Sequence, residues 1–114
     1  MSVDAFLQRL RASPEQIEFT ETMAAIESAY EYTPTAFRNG ELHNDAGQNA
    51  GSCKLLSFAR MQNLSEAETL ACFGRYYRDD VLGHPDGSDH QNIRNFMRSG
   101  WVGVSFEGQA LAER

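Results

Sequence analysis

Long hydrophobic runs are missing from this sequence. The longest unbroken apolar stretches are four residues, Met23–Ile26 and Leu70–Phe73, where a membrane-spanning helix needs about 20. Cysteine is scarce. Cys53 and Cys72 form no C-x-x-C pair, which excludes a disulfide framework and points to free thiols in a reducing compartment. Basic charge is also short: 10 Lys and Arg stand against 16 Asp and Glu, a formal net charge of −6. That balance argues against nucleic acid or an anionic membrane as the main partner. The first four residues, Met1-Ser2-Val3-Asp4, offer neither a basic nor an apolar signal region, so no secretory signal is expected. The three prolines, Pro14, Pro34 and Pro85, fall at element boundaries, where proline is tolerated.

What is present suits one domain over residues 1–114. The length and an apolar content of 41% allow a core without a metal or disulfide staple. Five helices follow from the periodicity. Val3, Phe6, Leu7 and Leu10 make an i, i+3, i+4, i+7 stripe over residues 3–11. Ser13-Pro14-Glu15-Gln16 reads as a capping box opening a second helix with Phe19, Met23, Ile26 and Tyr30 on its apolar side. Ser52 is the expected cap of a third, which buries Leu55, Leu56, Phe58 and Ala59. Ser65-Glu66-Ala67-Glu68 opens a fourth that runs through Gly74 and Tyr77 to Val81. The fifth is expected from about Asp89 to Arg98.

Strand signals are fewer. Asn39-Gly40 between residues 35–38 and 41–44 reads as a hairpin with a type I′ turn. Residues 101–106 are a candidate third strand. The expected fold class is therefore α+β, helix-dominated, with a small antiparallel sheet.

Two segments concentrate chemistry. The first, residues 44–54, is a polar loop that enters a helix. Amides of Gly51, Ser52 and Lys54 at that helix start would attract an anion, with Arg94 or Arg98 in support. Cys53 in the same place would have a lowered thiol pKa. The second, residues 84–94, holds His84, Asp86, Asp89, His90, Asn92 and Arg94. His90 could act as base toward Cys53, oriented by Asp89 or Asn92, with Gln48 and the helix-start amides as an oxyanion hole. His84, Asp86, His90 and His43 are an alternative metal set, although no metal-binding motif is present. Each feature has a plainer reading: Cys53 as a small buried hydrophobe, the His84–His90 string as a turn and cap, and the asparagines as partners of loop backbone.

The sequence also resembles a known family. Tyr32-Thr33-Pro34-Thr35-Ala36-Phe37 with Asn39-Gly40 is similar to part of the HopJ type III effector signature. So are Ala46-Gly47-Gln48-Asn49, Gly51-Ser52-Cys53-Lys54, Phe73-Gly74 with Tyr76-Tyr77-Arg78, Asp89 through Met97, and Gly100-Trp101. The resemblance runs over nearly the whole chain. It implies a small bacterial protein, cytoplasmic or exported by type III secretion, and brings no catalytic residues with it. The leading expectation is a monomer without cofactor that acts through a protein partner. An anion-binding module at Gly51–Lys54 and a Cys53/His90 thiol hydrolase or transferase are the alternatives.

Overall fold

The computed structural model describes residues 2–114. Helix α1 spans Val3–Ala12 and is capped by Ser2, whose hydroxyl accepts from the Ala5 amide at 3.1 Å. Its stripe buries Phe6, Leu7 and Leu10. The expected capping box at Ser13 does not open the next helix. Pro14–Gln16 is one 3-10 turn, and Ser13 makes no side-chain cap bond. Ile17 then drops fully into the core, so helix α2 starts only at Phe19 and ends at Ala29. Glu21 holds that start by accepting from the Glu18 amide at 3.2 Å. The same carboxylate takes Arg9 Nε at 2.6 Å and so ties α1 to α2.

Tyr30 belongs to a strand rather than to the helical stripe. Strand β1 (Tyr30–Tyr32) pairs antiparallel with β5 (Leu111–Glu113), in the register Glu31 to Ala112. A second sheet has the order β3-β2-β4, from β2 (Phe37–Asn39), β3 (Leu42–Asn44) and β4 (Val104–Phe106). The hairpin thus forms as expected, and the third strand takes up only the second half of residues 101–106. The turn itself differs by one residue. Asn39 pairs with Leu42 inside the ladder, and only Gly40 has positive φ, at +62°. That is the sign pattern of a type II′ turn, with glycine first.

Helix α3 spans Ala50–Met61, so Ser52 lies inside it and Asn49 is the cap. Helix α4 is short, Glu66–Ala71, and carries the expected capping box: Ser65 Oγ accepts from Glu68 N at 3.1 Å and Glu68 Oε1 from Ser65 N at 2.9 Å. The fourth helix does not continue through Gly74. That glycine has φ +64° and separates α4 from a π-helical turn over Tyr76–Val81. Helix α5 spans Gln91–Ser99. Trp101 sits in a following 3-10 stretch, Gly100–Gly103, and only then does β4 begin.

The core gathers Phe6, Phe37, Phe58, Phe96, Ile17, Ile26, Leu55, Leu56 and Leu111, all essentially inaccessible. This is an α+β domain dominated by helix, as expected. No helix among the described residues is long and apolar enough to cross a membrane.

Candidate functional site

The starts of α3 and α5 face one cleft of about 500 Å³. Asn49, Gly51 and Ser52 reach it from α3, and His90, Gln91, Asn92 and Ile93 from α5. Phe19, Phe73, Tyr76 and Leu42 supply its apolar wall. Both helices begin from a non-glycine residue in the left-handed region, Asn49 at φ 50° and His90 at φ 51°, a conformation rare for such residues. Neither cap side chain bonds to its helix. The first helical bonds are Cys53 N to Asn49 O at 3.0 Å and Ile93 N to His90 O at 3.0 Å. The amides of Gly51, Ser52, Gln91 and Asn92 precede them, and such amides carry the positive end of a helix dipole.

Buried asparagines fix this geometry. Asn92 Oδ1 accepts from Asn39 Nδ2 at 3.1 Å and from Asn44 Nδ2 at 3.3 Å, and Asn92 Nδ2 donates to Asn44 Oδ1 at 3.1 Å. Asn49 Nδ2 donates to the same Asn44 oxygen at 2.6 Å. The β2–β3 hairpin therefore holds both helix starts at once. The four side chains hydrogen-bond one another, and Asn49 and Asn92 also line the cleft.

His90 is oriented by a residue the sequence did not single out for it. Its Nε2 lies 3.0 Å from Asp80 Oδ2, and the Tyr76 ring stands 5.3 Å from its own. Asp89 is farther, at 3.8 Å, and is engaged by Arg94 Nη2 at 2.7 Å. That hydrogen bond holds the Asp89 carboxyl below its ordinary pKa. Asp80 and Tyr76 share one side of the π-helical turn, whose wide geometry is invisible in a periodicity analysis. Phe19 and Asn49 were likewise missed as site residues; each stands at the start of a helix, the one signal they offered.

Other expected site residues lie elsewhere. Arg94 is buried and donates to His84 O at 2.9 Å and Asp89 O at 2.6 Å, closing the 84–90 loop rather than offering itself to a ligand. Lys54 pairs with Glu27 at 3.6 Å and covers the Tyr32 ring. Gln48 Oε1 accepts from the Asp45 amide at 2.9 Å, in an exposed loop. No group of three or more His, Cys, Asp and Glu among the described residues is arranged to hold a metal. His43 faces Asp45 and His84 faces the Asp80 carbonyl.

Cys53 is the clearest correction. It is wholly buried and its thiol donates to Thr35 O at 3.5 Å. Burial pushes its pKa up, with Thr35, Ser57 and Tyr32 pulling only partly against it. The positive end of the helix dipole would lower it, and desolvation outweighs that effect. Cys72 is pushed up to about 12, again by burial. We expect neither thiol to react with iodoacetamide in the native state and both to react once the chain unfolds. The unfolded chain ionises its thiols first, so stability should also fall as pH rises past about 8.5. Fast alkylation of folded protein would contradict this.

The profile of a family described as HopJ type III effector protein matches residues 3–111. The chain belongs to the HopJ family. This HopJ chain is also similar to a crystal structure of an unknown function protein, VPA0580, with 54% identity and a TM-score of 0.98. The alignment covers 100% of this chain and 95% of that one. No curated protein matches it. The Asn49–Ser52 and His90–Ile93 sides of the cleft both lie inside the matched span.

Proposed function

We propose that this HopJ protein binds a small organic anion with a flat apolar body. The observation that carries the reading is the convergence of two helix starts, on helices of 12 and 9 residues, upon one aromatic-walled cleft. Among the described residues no carboxylate lines that cleft, and the nearby Asp80 is held on His90 Nε2. The amides and dipoles favour an acidic group, and Phe19 and Tyr76 in the wall suit an apolar remainder. Benzoate and phenyl phosphate are expected to raise the thermal midpoint in proportion to the logarithm of ligand concentration once the site saturates. Tyr76→Ala, at a half-exposed position, should weaken the effect about tenfold with little change in the unliganded midpoint. If neither compound shifts the midpoint at millimolar concentration, the reading fails.

Protein contact is a second reading, favoured by a shallow apolar groove. Leu82 and Met97, both about half exposed, lie there beside Arg98, which suits an acidic, apolar segment of a partner. Met97→Ser with Arg98→Glu should abolish partner capture while leaving the benzoate shift intact; unchanged capture would refute it. Delivery by type III secretion is proposed from the family description alone. A reporter fusion that stays inside cells with a working secretion system would count against it.

A further inference from the structure

We propose that the cleft is catalytic, and that it hydrolyses carboxylic esters whose acyl part is flat and apolar. The inference rests on the anion-binding reading and adds to it the His90–Asp80 pair.

A neutral histidine holds one proton, and the carboxylate 3.0 Å from Nε2 selects the tautomer with that proton on Nε2. The lone pair is then on Nδ1, which has no hydrogen-bond partner among the described residues. The ring is fixed from three directions: Asp80 at its edge, Tyr76 5.3 Å away, and a left-handed backbone that sets it at the mouth of α5. It is also part-buried and lines the cleft. The protein contains an internal contrast. His43 Nε2 meets Asp45 Oδ1 at 3.2 Å, almost the same pair chemistry, but both side chains are exposed and neither lines this cleft. Of these two histidines, only His90 faces a walled space with helix-start amides beside it.

In the step assigned here, His90 Nδ1 takes a proton from water as the water oxygen bonds to the ester carbonyl carbon. The carbonyl electron pair moves to its oxygen, and the helix-start amides stabilise that oxyanion. The pair then returns, the bond to the alcohol oxygen breaks, and the leaving alkoxide takes the proton from His90. Ester and water give a carboxylic acid and an alcohol. The acid ionises to the flat organic anion that the cleft is proposed to bind. His90 is the catalytic residue and Asp80 a positioning residue.

The test is saturable hydrolysis of 4-nitrophenyl benzoate by the full chain. His90→Gln should lower kcat by 100-fold or more, and His43→Gln should leave it unchanged. Asp80→Asn should lower kcat with little change in KM. Each variant's thermal midpoint, with and without benzoate, reports folding and binding separately. Benzoate binding with no saturable hydrolysis, or with equal rates for wild type and His90→Gln, overturns catalysis and leaves the binding reading standing. Loss of benzoate binding in wild type overturns both.

Discussion

Gly74→Ala is expected to lower the thermal midpoint by roughly 8–20 °C. Gly74 has φ +64°, and an added Cβ would stand 2.7 Å from the Phe19 backbone nitrogen and 3.1 Å from Glu18 backbone atoms. Alanine in the left-handed region costs about 1–2 kcal/mol, and overpacking against a rigid neighbour adds about 1–3. The sum of about 2–5 kcal/mol is a large share of the roughly 5–15 that holds a domain folded, and each kcal/mol moves the midpoint by about 4 °C at this size. Gly47→Ala separates the two contributions. Gly47 has φ +90° with nothing within 4 Å, so only the conformational part applies. A midpoint for Gly74→Ala within a few degrees of that of Gly47→Ala would mean that the approach to Phe19 is unimportant. A folded remnant of Gly74→Ala should also lose benzoate binding, since Gly74 sets Phe73 and Tyr76 on the cleft.

Asn92→Ala should destabilise the protein by about 2–4 kcal/mol. The side chain makes three hydrogen bonds to Asn39 and Asn44 in a region closed to solvent. Each such bond contributes roughly 1 kcal/mol, and buried groups left without partners add to the loss. Asn39 already has an unpartnered Oδ1, so the network has little slack. Asn44 Nδ2 would retain only a long contact, 3.4 Å to Phe37 O. Chemical denaturation with an unchanged m-value is the measurement; a loss under 0.5 kcal/mol would show that the network is dispensable. Asn92→Asp is the more informative companion. It keeps an acceptor and places negative charge at the α5 start, so benzoate binding should fall more than stability does.

Of the two four-residue capping boxes in the sequence, Ser65–Glu68 formed and Ser13–Gln16 gave way as Ile17 dropped into the core. The Asn39-Gly40 hairpin also formed, but its turn moved one residue along. Asn39 is drawn into the ladder, where it meets Asn92, 53 positions away. Ser52 had the right chemistry for a cap, yet the cap is Asn49, held by Asn44 from the neighbouring hairpin. The site was half legible for the same reason. Gly51, Ser52, His90 and Asn92 come together at the cleft, whereas Cys53, Lys54, Gln48, Asp89 and Arg94 have partners elsewhere. Asp80 could be matched to His90 only with the π-helical turn in view, and the depth of Cys53 depends on Thr35 and Tyr32 packing over it.

The pairing of β1 with β5 has a consequence in time. Tyr30–Tyr32 is made some 80 residues before Leu111–Glu113, and Ala110 and Leu111 complete the core. A chain emerging from the ribosome must keep β1 unpaired and that side of the core open until Leu111–Glu113 has appeared. Pairing over such a separation also slows folding, because the closure entropy comes first. Until then the growing chain shows the surroundings an edge strand and an uncovered apolar face, and whatever binds such surfaces meets this protein before its fold exists.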